Sequence, residues 1–453
     1  MIKKTLLFSV VISQLIFSCS SSDESTNDPE GSLTEQIANI IKQPYSKLTP
    51  TEQKVKLEAE ANVMLVQMDK SKTSGAIEAI QNLEKLLNID GVDVFGGKNG
   101  NEIAEILNVS DVYGIYTWNN STKIWVKTVS STELKFIFPA TATGKANNAI
   151  LSSKSTSSTI KVKLEDSYNW QTGTTINDEF YLPTSVDATL TIDAKPAATF
   201  ATTAKYTGTV ETPDESSFKM VLNDGYTYEI SGSKKATANT AKSSFTYNGK
   251  NLVSFTAGST ADIDALIKDD NLIQYQGKAN GLVQIMDNFI IVADMDIATQ
   301  TKDEETLEKS LAYPDYPDYN SPKADYKAYY TAQNTYNKKY SDGSVANTNK
   351  NTKLILVSKK DGTKIADVIY RSEKADSYNY ELPVWVKNSN YTNGGYWNWT
   401  NNGTGEMFTI QYYEEVLYLK FNDNTEVAMS SYFSTGFDKL ETKFEDFLKA
   451  FER

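Results

Sequence analysis

The chain has 453 residues, no histidine and a single cysteine. That excludes Ser-His-Asp and Cys-His nucleophiles, imidazole bases, His-ligated and Cys-cluster metals and any internal disulfide framework. Its net charge of −13 is the wrong sign for holding a phosphate backbone, so no nucleic-acid partner is expected, while hydrophobic residues at 40% and aromatics at 11% suffice to build a core.

Lys3 and Lys4 precede an apolar run from Leu6 to Phe17, which has signal-peptide length and is too short to span a bilayer. The run ends Leu15-Ile16-Phe17-Ser18-Cys19. This resembles a bacterial lipobox, an aliphatic residue three before the cysteine and a small one just before it, with Phe17 where a small residue is usual. The resemblance implies a signal peptide over residues 1–18 and acylation of Cys19, making outer-membrane lipid the first expected partner. Several acyl chains, at roughly 0.8 kcal/mol per buried methylene, give an essentially permanent anchor. Residues 19–31 continue Ser-Ser-Ser-Asp-Glu-Ser-Thr-Asn-Asp-Pro-Glu-Gly after the cysteine and read as a flexible tether. A serine-acidic cluster in this place resembles the surface-export signal of Bacteroidota lipoproteins. The expected location is therefore the outer membrane, facing the exterior. Loss of residues 1–18 removes two lysines and no acid, leaving a mature charge of about −15.

Residues 32–110 are expected to be helical. Ser32-Leu33-Thr34-Glu35 and Thr49-Pro50-Thr51-Glu52 both fit a capping box, the second with Pro at the first helical position. Leu57, Ala61, Met64, Leu65 and Met68 recur at helical spacing, as do Ile77, Ile80, Leu83, Leu86 and Leu87, and both stripes read as packing faces. Asn99-Gly100-Asn101-Glu102 opens a further short helix ending near Asn108.

From residue 111 to 310 the period is two, predicting an antiparallel β domain. Tyr113 to Trp118 and Lys123 to Val129 flank the hairpin signal Asn119-Asn120-Ser121-Thr122. Alternation continues through Leu134-Phe136-Phe138, Leu190-Ile192, Phe218-Met220-Leu222, Tyr226-Tyr228-Ile230, Phe245-Tyr247 and Val253-Phe255. The intervening Thr, Ser and Lys give each strand one wet and one dry face. The stretch from Leu182 to Ser259 loosely resembles β-rich repeats of uncharacterised Bacteroidota lipoproteins, a likeness that implies no active site.

Residues 311–350 read as a Tyr/Pro-rich loop and helix. Tyr313-Pro314-Asp315-Tyr316-Pro317-Asp318-Tyr319 is a Pro-spaced loop, Ser321-Pro322 a helix start, and Tyr326, Tyr329, Tyr330, Tyr336 and Tyr340 lie near one helical face. Such a stripe is expected to pack on a neighbouring domain with its hydroxyls at the rim. Residues 351–453 return to hairpins around Asp361-Gly362 and Asn422-Asp423-Asn424. They close with an amphipathic helix carrying Phe437, Leu440, Phe444, Phe447, Leu448 and Phe451, expected to dock on the body. The fold class is α+β, mainly β: a helical N-terminal segment, a large antiparallel body, curved or sandwich-like, and a C-terminal helix.

Without His, catalysis would need carboxylates, Tyr, Lys or Ser. A glycosidase needs two carboxyls roughly 5 to 9.5 Å apart. Glu165-Asp166, Asp178-Glu179 and Glu414-Glu415 are strand neighbours that point to opposite faces. Ser-x-x-Lys at Ser158, Ser216 and Ser231 lacks its companion signatures, and Asp294-x-Asp296 with Glu305 lacks the glycine and one oxygen ligand of an EF-hand loop. No metal and no cofactor is expected.

The most suggestive stretch runs Tyr391-Thr392-Asn393-Gly394-Gly395-Tyr396-Trp397-Asn398-Trp399-Thr400-Asn401-Asn402-Gly403, and three of the six Trp lie between 385 and 399. Sugars present flat C–H faces, which aromatic rings complement, and hydroxyls, which Asn amides complement. Tyr391, Tyr396, Trp397, Asn398 and Trp399 are the candidate ligand contacts. If residues 396–399 are extended, Trp397 and Trp399 share one face and Tyr396 and Asn398 the other, so the Trp face is either core or glycan platform. Asp166-Ser167-Tyr168-Asn169-Trp170 echoes Asp376-Ser377-Tyr378-Asn379-Tyr380, marking either a duplicated strand or chance. The function expected is non-catalytic binding, of polysaccharide in the first instance. Alternatives are a carrier of lipid or another apolar ligand, and a carboxylate-based glycoside-active enzyme.

Overall fold

The computed structural model describes residues 32–71, 73–95, 101–236, 238–268, 277–399 and 403–433. Cys19 with its signal peptide and tether, Asn99 and Gly100, residues 400–402, and the expected C-terminal helix lie outside the described residues. Of the described residues, 32–294, 356–365 and Phe433 form one compact unit; Met295–Ile355 and Ala366–Tyr432 form a second.

In the first unit, helix α1 (Leu33–Ile41) begins with the capping box: Glu35 accepts from the Ser32 N–H at 2.8 Å and the Ser32 hydroxyl from the Glu35 N–H at 3.4 Å. Thr49 and Glu52 repeat the exchange ahead of α2 (Pro50–Ser71), at 2.8 and 3.3 Å. Each box satisfies donors that a helix start otherwise leaves open, contributing about 1 kcal/mol. Leu57, Ala61, Met64, Leu65 and Met68 of α2 are all buried, as are Ile77, Ile80, Leu83, Leu86 and Leu87 of α3 (Gly75–Ile89). A one-turn helix α4 (Ile103–Ile106) follows.

The strands are β1 (Gly114–Asn119), β2 (Ile124–Thr128), β3 (Leu134–Phe138), β4 (Ala149–Asn169), β5 (Thr174–Ile192), β6 (Lys195–Lys205), β7 (Glu215–Leu222), β8 (Tyr226–Ser233), β9 (Asn239–Tyr247) and β10 (Lys250–Ser259). A short helix α5 (Ile263–Lys268) precedes β11 (Lys278–Ile285) and β12 (Phe289–Asp296). From β3 to β12 each strand neighbours its successor in the chain, and β1 then lies between β3 and β2. The protein is α+β, mainly β, and its strand pairs are mostly antiparallel. One pair departs from that rule: β1 runs parallel to β3, because after the β1–β2 hairpin the chain returns to the other edge of β1. Alternation is clean where one face meets the core, as in β1 and β3, whose Tyr116, Trp118, Leu134, Phe136 and Phe138 are buried. Side-chain hydrogen bonds tie the helices to this sheet, Tyr226 donating to the Gln67 carbonyl of α2 at 2.7 Å and Asn82 of α3 to the Pro139 carbonyl at 2.6 Å.

The β4–β5 hairpin is much longer than its neighbours and carries a core of its own. Val109, Ile160, Val162, Phe180 and Leu182 are buried together, with Phe95 stacked on Phe180 at 4.9 Å. The turn at 170–173 lies beyond the last of these contacts along the hairpin.

The second unit holds α6 (Ile297–Ser310) and α7 (Tyr326–Asn351). Strand β13 (Thr352–Ser358) follows α7, and β14 (Thr363–Glu381) follows the Asp361-Gly362 turn, where Gly362 takes φ +60°. The remaining elements are β15 (Val384–Lys387), β16 (Gly395–Asn398), β17 (Met407–Lys420), β18 (Glu426–Ala428) and a one-turn helix α8 (Met429–Tyr432). Within the unit, β14, β17 and β18 are neighbours in one sheet, and β15–β16 is a separate hairpin. Helix α6 falls in the stretch where strands are expected; Asp296 caps it by accepting from the Thr299 N–H at 3.0 Å. Asp296 is thus an N-cap residue, and Glu305 pairs with Lys309 one turn on. Helix α7 starts at Tyr326 rather than at Ser321-Pro322, because Asp325 supplies the cap, accepting from the Ala328 N–H at 2.8 Å.

Candidate functional site

The candidate residues sit on the β15–β16 hairpin and the segment just after it. Trp385 pairs with Trp397 and Val386 with Tyr396, so the register divides the aromatics between two faces. Between the strands, Asn388 builds the loop: its side chain accepts from the Asn390 N–H, its carbonyl from the Tyr391 N–H, and its own N–H donates to the Gly394 carbonyl. Gly394 takes φ +79°, a conformation that favours glycine. Gly395 is needed for a different reason: a Cβ there would fall 2.8 Å from the Trp385 indole.

One face packs inward. Trp397 and Trp399 both meet the Tyr326 ring edge-on, at 4.9 Å and interplanar angles of 79° and 80°. Trp385 backs Trp397 at 5.5 Å, and the Trp397 indole N–H donates to the Ser321 carbonyl at 3.1 Å. Tyr326 is 3% exposed, while Trp399 keeps 42% of its surface open. Trp397 and Trp399 therefore share a face, as alternation predicts, and that face is anchored on α7. The opposite face carries Tyr396 against Tyr391 of the loop, rings 5.1 Å apart and 38% and 51% exposed. Asn398 pairs with Val384 and is half-buried.

The tyrosine stripe of α7 extends this layer. Tyr316 meets both Tyr326 and Tyr329, Tyr329 meets Tyr330, and Tyr330 packs on Tyr380 and Phe408. Tyr380 in turn contacts Trp399 at 6.4 Å and Tyr378 at 6.3 Å. The stripe is thus spent on strands and loops of its own unit. Burial, with neighbouring tyrosines adding to it, pushes the Tyr326 and Tyr329 hydroxyls up to about 12, so both stay neutral across physiological pH. Sequence alone singles out the stripe and the Trp loop separately; that Tyr326 joins them is visible only in three dimensions, as are Tyr316, Tyr378 and Tyr380 as members of one layer.

The segment Gly403 to Gly405 is held by a carboxylate. Glu381 accepts from the Gly405 N–H at 2.5 Å and the Gly403 N–H at 3.2 Å, and these backbone donors hold its carboxyl below the usual range. A side chain at Gly405 would collide with the Leu382 carbonyl, so the backbone can come this close only as glycine.

The other residues weighed for chemistry lie elsewhere. Lys161 and Lys163 both pair with Glu179, Lys219 with Glu229, and Lys234 lies between Asp214 and Asp264. Every Ser-x-x-Lys lysine thus has a carboxylate partner. Among the described residues no group of three or more Cys, Asp or Glu is placed to hold a metal ion, and no helix is long and apolar enough to cross a membrane. Comparison with protein-family models, with characterised proteins and with solved structures finds no match to this chain.

Proposed function

We propose that the protein is a non-catalytic, lipid-anchored binding protein of the outer membrane, facing the exterior, with neutral polysaccharide as its ligand. The observation that carries this reading is the exposed Tyr391–Tyr396 pair on one face of the hairpin, whose other face is fixed on Tyr326 and ends in a half-open Trp399. Rings held open by a rigid hairpin suit the C–H faces of pyranose units, and Asn-rich neighbours suit their hydroxyls. The inward anchoring of Trp397 supports it in another way: the hairpin is pinned from behind, so its outer face is presented without a large ordering cost on binding. The negative charge of the chain adds a selectivity against sulfated or uronic polymers at low salt.

Changing Tyr391 and Tyr396 together to Ala is expected to weaken retention in affinity gels of neutral polysaccharide by about thirtyfold, since exposed aromatic contacts are each worth on the order of 1 kcal/mol. The unfolding midpoint should hardly move, because both side chains are exposed. A panel of mixed-linkage β-glucan, α-mannan, amylopectin and xyloglucan that retains neither form would end the glycan reading. The anchor has its own test. Cys19→Ala should abolish incorporation of a palmitate analogue, and label persisting in that variant would remove the lipid anchor from the proposal.

A further inference from the structure

The two Asp-Ser-Tyr-Asn-aromatic stretches share a local structure. In the first unit the β4–β5 register shifts between Glu165 and Ser167, leaving Asp166 out of the ladder. In the second unit the β14–β17 register shifts between Lys374 and Ser377, leaving Ala375 and Asp376 out. Each stretch therefore runs from a bulge into paired Ser-Tyr-Asn, and bulges re-aim the side chains that follow them. After each bulge two aromatics two residues apart meet: Tyr168 and Trp170 at 4.8 Å and 81°, Tyr378 and Tyr380 at 6.3 Å and 34°. In the second unit the pair is continuous with the layer around Trp399, through Tyr380. In the first it stands at the end of the longest hairpin, with Trp170 88% exposed.

We infer that Tyr168 and Trp170 form a second glycan-contact site on the first unit, taking a neutral pyranose polymer of the class proposed for the Tyr391–Tyr396 face. This rests on the glycan reading above and extends it to a different unit. The chemistry of the tip selects the ligand. Residues 169–175 read Asn-Trp-Gln-Thr-Gly-Thr-Thr, with amides and hydroxyls but neither an aliphatic side chain nor a charge. Insertion into a membrane surface usually joins interfacial Trp or Tyr to further apolar residues such as Leu or Phe and to flanking Lys or Arg for the headgroups, and the tip has neither of these additions. A sugar needs a ring to stack on and hydroxyl partners around it, and the Thr172 and Thr174 hydroxyls stand together at 2.6 Å beside the turn. Next along the hairpin the sequence carries the acids Glu165, Asp166 and Asp178, and beyond them Lys161 and Lys163 both pair with Glu179, so the tip has no net attraction for an anionic polymer.

The test uses the full-length chain labelled with 5-fluorotryptophan, whose six resonances are read by fluorine NMR, with Trp170→Phe and Trp399→Phe assigning two of them. Titration with whichever neutral polysaccharide of the panel retains the wild type should shift or broaden both assigned signals saturably. Tyr168→Ala with Trp170→Ala should weaken retention at least threefold and leave the Trp399 response in place. A Trp170 signal that stays still while Trp399 saturates would overturn the second site and leave the first intact. Silence at both positions, with no retention in any gel, would overturn both together. Movement of Trp170 on phosphatidylcholine vesicles but not on polysaccharide would replace the sugar by a membrane surface.

Discussion

Trp397→Ala should destabilise the second unit by about 3 kcal/mol, the lower end of the cost of removing a large aromatic from a core, because Trp397 is half-buried. Three contacts are lost at once: the edge-on contact with Tyr326, the cross-strand contact with Trp385, and the N–H bond to Ser321. Tyr326, almost fully buried, would be left with a void on one side. Trp399→Ala should cost about 1 kcal/mol, because 42% of that side chain already faces solvent. Trp397→Phe separates the two components: it keeps most of the ring and loses the donor, so a loss near 1 kcal/mol is expected. Urea unfolding followed by near-UV circular dichroism gives the ranking. Equal, small effects for both alanine variants would mean that the Tyr326 grip contributes little. Binding gives a second readout. Trp397→Phe should retain polysaccharide as the wild type does, whereas Tyr391→Ala with Tyr396→Ala should not, which places structure on one face of the hairpin and recognition on the other.

That division shows where the sequence stops being informative. Alternation places Trp397 and Trp399 together and Tyr396 opposite, because the strand period is fixed by backbone geometry. Which side meets the body depends on Tyr326, which lies on a helix some seventy residues upstream, and no local pattern records that contact. The stripes of α2 and α3 were legible for the opposite reason: every residue they name is buried, since helical period and core face coincide. The strand order from β3 to β12 follows from short connections between alternating runs, whereas the parallel β1–β3 pair depends on the route the chain takes after a hairpin. The two-unit division was hidden because the second unit is assembled from two segments with the Leu356–Ile365 turn of the first between them. The start of α7 was misplaced by a proline signal at Ser321-Pro322, where the Ser321 carbonyl instead receives the Trp397 indole.

Glu84 is a case where a pattern in the sequence carries a thermodynamic consequence. It lies four residues after Ile80 and three before Leu87, on the apolar stripe of α3, and it is buried with them. Its one described hydrogen bond comes from the Ile103 N–H at 3.5 Å. Burial, reinforced by the nearby carboxylates of Glu102 and Glu105 and opposed by that bond, pushes its carboxyl up to about 7. The folded value is thus above the unfolded one. Below the unfolded value both states hold the proton and the titration of Glu84 does not change stability. As pH rises through about 4.5 the unfolded chain releases its proton while the folded chain keeps it. Stability therefore falls between about 4.5 and 7 and levels off above that, by on the order of 3 kcal/mol at 1.36 kcal/mol per pK unit. Glu84→Gln keeps the shape and an acceptor for the Ile103 N–H but cannot ionise. It should raise the urea midpoint at pH 8, by on the order of 2 kcal/mol in stability, and change it little at pH 4.5. A gain of the same size at both pH values would show that the substitution acts through packing, and a loss at pH 8 would show that the ionised carboxylate is stabilised by partners outside the described residues.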